Sequence, residues 1–149
     1  MLAIHHVFSV AASPARVYEA LTKTEALAGW WTTVVEGGTD VGDVIDFTFG
    51  GDFDTKMRIS ALEPGSRVVW ELAEGHPNWE GSTFEFSLAR SDAGTTVRFW
   101  QNYGRKLSDD DFGVYNYNWA YYLESLRLLC ETGKGKPFEP DEKLRATGS

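Results

Sequence analysis

The chain has 149 residues, 42% of them hydrophobic, with 14 lysines and arginines against 22 aspartates and glutamates and a formal net charge of -8. That length suits a single domain, 1–149, which buries about 70% of its unfolded surface and leaves no room for a second. The basic residues are scattered rather than gathered into a stripe, which excludes nucleic acid as a partner. Cys130 is the one cysteine, so there is no disulfide framework and no thiolate metal site, as expected of a reduced, cytoplasmic protein.

The chain opens on MLAIHHVFSV, which lacks a basic n-region and reads as a strand rather than a signal peptide. Ile4, His6, Phe8 and Val10 share its inward face and His5 the outward one. Ser13-Pro14 supplies an N-cap followed by proline at the first helical position, and Val17, Tyr18 and Leu21 continue at helical spacing. Thr22 and Glu25 have the spacing of a capping box for a second short helix, ending near Trp30-Trp31. Past a glycine turn at Gly37-Gly38 come five more strands, at 43–49, 56–62, 67–72, 82–88 and 95–103, joined by turns at Gly50-Gly51-Asp52, Pro64-Gly65 and Asp92-Ala93-Gly94. The one longer loop, 74–81, carries His76 and Trp79. No run approaches the 18 apolar residues of a spanning helix, so a membrane is not expected as a partner.

Ser108, with Asp109 to Asp111 behind it, caps a long helix over 112–132. At 100° per residue, Asn116, Ala120, Glu124, Arg127 and Glu131 fall on a narrow solvent stripe. The remaining arc is far wider than the stripe of an ordinary amphipathic helix and includes Val114, Tyr115, Tyr117, Trp119, Tyr121, Tyr122, Leu123 and Leu126. Asn118, Tyr121 and Ser125 interrupt it. Two explanations stand: Ser125 bonds back to the Tyr121 carbonyl while Asn118 ties down a loop, or these groups floor a cavity. Such a helix is roughly 30 Å long, enough to cross the concave face of a curved sheet. The charged, Gly/Pro-bearing segment 134–149 reads as a loosely held tail.

This order of elements resembles the helix-grip fold of the START and birch-pollen-allergen (SRPBCC) superfamily: α+β, here a curved antiparallel six-stranded sheet wrapped around a long C-terminal helix, with two short helices after strand one. Within it, the chain is similar to the branch named after the activator of the heat-shock-protein-90 ATPase, whose bacterial members are single domains. The resemblance rests on Val10 to Tyr18, on Trp30-Trp31, on Gly94-Thr95-Thr96-Val97, and on Asn118-Trp119 to Leu126 running into Thr132 to Pro137. It departs where many relatives carry a histidine after the last strand; here the run is Phe99-Trp100-Gln101-Asn102-Tyr103. One scaffold of this kind serves lipid binders, cyclases, hydrolases and co-chaperone domains.

Three functions follow from these residues and that resemblance. The first is binding of a small apolar or aromatic molecule between sheet and helix. Trp30 and Trp31 would border the entrance, Phe47, Trp70, Phe84 and Phe99 would form walls, and Gln101, Tyr103, Asn118 and Tyr121 would orient the ligand's polar end. The alternative to a cavity is a core that the aromatic rings fill. The second is a co-chaperone-like module that contacts a chaperone or another protein. The third is a cyclase or hydrolase using His6 or a cavity tyrosine, against which stands a plain structural role for His6. Neither Gly-x-Ser-x-Gly nor His-Glu-x-x-His occurs, and no phosphate-cradling glycine loop precedes a helix, so no metal or cofactor is expected. Periodicity leaves the ligand and the oligomeric state open.

Overall fold

Alternating apolar residues carry over into a seven-stranded antiparallel sheet. The structure, a computed structural model, describes residues 3–140. Its elements run β1 (Ala3–Val10), α1 (Pro14–Thr22), α2 (Thr24–Leu27), β2 (Val34–Gly37), β3 (Val44–Thr48), β4 (Thr55–Glu63), β5 (Arg67–Glu74), β6 (Thr83–Ser91), β7 (Gly94–Asn102) and α3 (Asp109–Thr132). The strand order is β1-β7-β6-β5-β4-β3-β2, so every neighbour is the next strand in sequence except β1, which crosses to pair with β7. Six strands were expected. The seventh, β2, is four residues long and holds only Val34 and Val35 before Glu36-Gly37, too short for an alternation to register.

One inner row crosses the sheet through Ile59, Trp70, Phe84, Gln101 and Ile4, and the next through Val68, Phe86, Phe99 and His6. Register shifts between Lys56 and Met57 and between Ile59 and Ala61 break the regular pairing of β4 with β5; irregularities of this kind bend a strand and help a sheet curl around what it covers.

Ser13 caps α1 as the spacing predicts, its Oγ accepting from the Arg16 N–H at 3.2 Å, and Ser108 caps α3 by accepting from Asp111 at 3.1 Å. The capping box at Thr22 does not form. Its Oγ1 donates to the Tyr18 carbonyl within α1, and α2 begins after Lys23 with no side-chain cap; a threonine hydroxyl at a helix end can bond back to the carbonyl one turn earlier instead of capping forward.

The far end of α3 is pinned to the loop before α1 and to α1 itself. The Ala11 N–H donates to Glu131 at 2.8 Å and Arg16 donates to the Leu129 carbonyl at 3.3 Å. Gly133 closes the helix at φ 85, a left-handed conformation that glycine adopts without a Cβ clash. The buried face of α3 is Tyr115, Trp119, Leu123, Ser125, Leu126, Leu129 and Cys130. It is narrower than the arc expected from residue type: Val114, Tyr117 and Tyr121 are each at least half exposed. Apolar and aromatic character assigned them inward, but the sheet is concave on one side only and covers a limited sector of the helix.

Segment 134–140 is bonded to the body rather than hanging free. Ser125 Oγ donates to the Trp30 carbonyl at 2.8 Å and accepts from the Lys136 N–H at 2.6 Å, and Phe138 exchanges backbone bonds with Trp31 and Thr33 at 2.9 Å. Gly135 lies so close beneath that a Cβ there would come within 2.4 Å of the Gly29 carbonyl oxygen, which leaves glycine as the residue that fits. Positions 141–149, the rest of the expected tail, lie outside the described residues.

Candidate ligand pocket

A pocket of about 380 Å³ opens between the first half of α3 and the turn joining β3 to β4. The helix supplies Tyr115, Asn118, Trp119 and Tyr122, which fall on one face at spacings of three, four and seven. The turn supplies Phe49, Gly50, Gly51, Asp52 and Phe53, with Trp31 and Trp79 from two connecting segments and Phe138 from the stretch after α3.

Each wall is held by its own bonds. Asp54 Oδ1 accepts from the Phe49 and Gly50 N–H groups at 2.7 and 2.8 Å, which folds the turn back on itself. Partial burial pushes the Asp54 carboxyl up, but the N–H donors of Phe49, Gly50 and Gly51 together outweigh it and hold the group below its ordinary value. Phe53 is backed by His76, whose ring lies parallel to it at 4.5 Å. His76 Nδ1 accepts from the Asn78 N–H at 3.0 Å, and the Asn78 amide donates to the Tyr115 hydroxyl at 2.8 Å, linking turn to helix across the mouth. Trp31 and Trp119 stack at 5.2 Å at the inner end.

Behind that stack the rings close up. Trp119 meets Phe99 at 4.4 Å, and its Nε1 donates to Gln101 Oε1 at 2.7 Å. The same oxygen accepts from the Tyr103 hydroxyl at 3.1 Å, while Gln101 Nε2 donates to Ser82 at 3.4 Å. Burial drives the Tyr103 phenol far up, the neighbouring Tyr115 adds to it and the Trp79 indole opposes. Trp30 Nε1 donates to the Ala20 carbonyl at 2.8 Å.

Of the residues singled out from sequence, the structure brings Trp31 and Asn118 to the pocket. Trp30, Phe47, Trp70, Phe84, Phe99, Gln101 and Tyr103 lie in the closed core behind it. Tyr121 stands half exposed on the outer side of α3, edge-on to Tyr122 at 5.1 Å. Ser125 bonds across to Trp30 and Lys136 rather than back to Tyr121, and Asn118 ties down no loop among the described residues.

His6 faces α3 beside Asn116, apart from the pocket. Burial lowers its basicity, Asn116 opposes that and His5 adds to it. His5 turns outward, its Nδ1–H donating to the Phe99 carbonyl at 3.0 Å and its ring stacking on Trp100 at 4.6 Å. Cys130 is buried, its thiol pushed up to about 11 by burial, with Arg16 opposing; it behaves as a small apolar group.

Phe49, Phe53, Tyr115, Tyr122 and Phe138 entered none of the expected site residues. Phe53 carried what signal there was, a large ring directly after the Gly50-Gly51-Asp52 turn, though a single apolar residue on a surface is ordinary. Phe138 lay in a segment read as tail. The lining holds one carboxylate, two phenols, an amide and a threonine hydroxyl, with no histidine, cysteine, lysine or arginine. Such a surface is suited to hold an apolar ring and orient it by a few polar groups. Among the described residues no three His, Cys, Asp or Glu side chains gather to hold a metal ion, and no helix is long and apolar enough to cross a membrane.

Comparison with solved structures returns an Aha1 dimer from Colwellia psychrerythraea, 34% identical with a TM-score of 0.81 over 91% of this chain and 100% of that one. A protein from Staphylococcus saprophyticus is 18% identical, with a TM-score of 0.75 over 91% and 97% of the two chains. DynU16, from the dynemicin biosynthetic locus, is 19% identical, with a TM-score of 0.73 over 89% of this chain and 48% of its own. At that identity the last two share the fold alone. No curated protein matches the chain. The family model for activator of Hsp90 ATPase homolog 1-like proteins matches residues 11–131, from the loop before α1 almost to the end of α3. By that match and the 34% identity over the whole of the Colwellia protein, the chain belongs to the activator of Hsp90 ATPase homolog 1-like family.

Proposed function

We propose that this chain is a single-domain cytoplasmic helix-grip protein that binds a small apolar or aromatic molecule in the pocket between α3 and the β3–β4 turn. The observation that carries the reading is a 380 Å³ space walled by eight aromatic rings, when a core of such rings would ordinarily close on itself. In this reading Asn118 orients the ligand's polar end, Trp31, expected at the entrance, forms the inner wall with Trp119, and Trp30, Phe47, Trp70, Phe84 and Phe99 act behind them, holding Trp31 and Trp119 in place. Gln101 and Tyr103 act through the Trp119 indole. Native mass spectrometry of freshly purified protein, set against its denatured mass, tests this. A discrete adduct of small-molecule mass is the expected result; no adduct, together with no quenching of tryptophan fluorescence by any aromatic probe, would sink it.

A second reading, a protein-interaction module acting on a chaperone, draws support from the family match and from the 34% identity to a protein described as an Aha1 dimer. A pull-down with the host's heat-shock-protein-90 tests it, a salt-sensitive complex being the expected outcome.

A further inference from the structure

We propose that the pocket selects organic cations, an amine or quaternary ammonium carried on an apolar or aromatic body. The inference rests on the pocket being a ligand site and names the class of ligand. Asp52 is the one charged side chain in the lining, and the described residues place no lysine, arginine or histidine there. Its carboxylate makes no hydrogen bond or ion pair among those residues, so its charge is left for whatever lies in the mouth. The neighbouring Asp54 is ionised and occupied with backbone N–H groups.

Beyond the lining, Asp111 stands one helical turn before Tyr115 and shares Asn78 with it, accepting at 3.4 Å. The walls themselves favour positive charge, since the face of an aromatic ring is the negative end of its quadrupole and indole is the strongest of the three ring types. Trp31, Trp79 and Trp119 all line the pocket. A carboxylate ligand would meet Asp52 with no cation to receive it, whereas the protein's net charge of -8 draws cations toward the mouth. Two bases stand nearby without lining it: Arg105 donates to the Pro77 carbonyl, and His76 backs Phe53.

Three probes of one shape test the class: 1-naphthylmethylammonium, 1-naphthylmethanol and 1-naphthoate, titrated calorimetrically into the full chain and into Asp52→Asn at pH 7.5. Asp52 is exposed and unpartnered, so that variant is expected to fold as the parent does. The ammonium should bind about tenfold more tightly than the alcohol, with the naphthoate weakest, and Asp52→Asn should cost the ammonium about threefold or more while leaving the alcohol unchanged. Alcohol binding equal to or tighter than the ammonium, or an ammonium affinity indifferent to Asp52→Asn, overturns the cation proposal and leaves the pocket reading standing. Failure of all three probes to bind overturns both.

Discussion

Under the second half of α3, Leu123, Leu126, Leu129 and Cys130 pack directly onto β1 and α1. Under the first half, Tyr115, Trp119 and Tyr122 stand around a space. Both halves are apolar, and the difference lies in what each one faces. Branched aliphatic side chains meeting a helix and a strand interdigitate at crystal-like density. Rigid planar rings meeting a glycine turn, itself folded back onto Asp54, cannot slide together to fill the gap. Trp119 marks the boundary, with one edge against Phe99 and Gln101 and the other in the pocket.

Breaking that boundary should have the largest effect. Trp119→Ala is expected to cost about 3–5 kcal/mol, read as a fall in the urea midpoint; a loss under about 1 kcal/mol would mean the two regions do not depend on a shared ring. Gln101→Leu comes next. It orphans the Trp119 N–H and the Tyr103 hydroxyl in a buried place, so about 1–3 kcal/mol should be lost, and a neutral result would show that the closed region does not need its polar thread.

Acid should then separate the regions without mutation. The Asp54 carboxyl is held below its ordinary value of 3.8, so its contribution is complete above that value and is lost as pH falls through the lower, folded one. Amide exchange at Phe49 and Gly50, followed by NMR below pH 4, should lose protection before the amides of β6 and β7 do; simultaneous loss would count against an independently hinged turn. The smallest stability effect belongs to Asn118→Leu, expected within about 0.5 kcal/mol because the side chain is exposed and unbonded. That variant should nonetheless alter affinity for a pocket ligand, and unchanged affinity would remove Asn118 from the site.

What the sequence made legible follows from how far each pattern reaches. Strand alternation and the serine caps are local, and they placed six strands, α1 and the Ser108 cap of α3, although the helix begins at Asp109 rather than at the expected 112. The helix-grip order was legible from Trp30-Trp31 and the Asn118 to Pro137 stretch together. The seventh strand was not, because β2 exists through its pairing with β3 and not through its own pattern. Helical periodicity gave the angle of each residue on α3 but not which sector the sheet would cover, so Tyr117 and Tyr121 could not be told from Tyr115 and Tyr122. The pocket was illegible for a related reason: its walls come from a turn, two connections and a C-terminal segment, and no periodicity links Phe49, Trp79 and Phe138.

The pairing of β1 with β7 sets an order in time as well as in space. During synthesis β1 leaves the ribosome first and finds no strand partner until β7 has been made, while α3 and Phe138 follow later still. A nascent chain therefore exposes the inner rows of rings for most of its elongation, the interval in which apolar surface is most prone to mispairing. Among the described residues the pocket is the last feature to be completed, and a chain stopped short of Pro137 would carry all of their strands and helices yet lack one wall of the pocket.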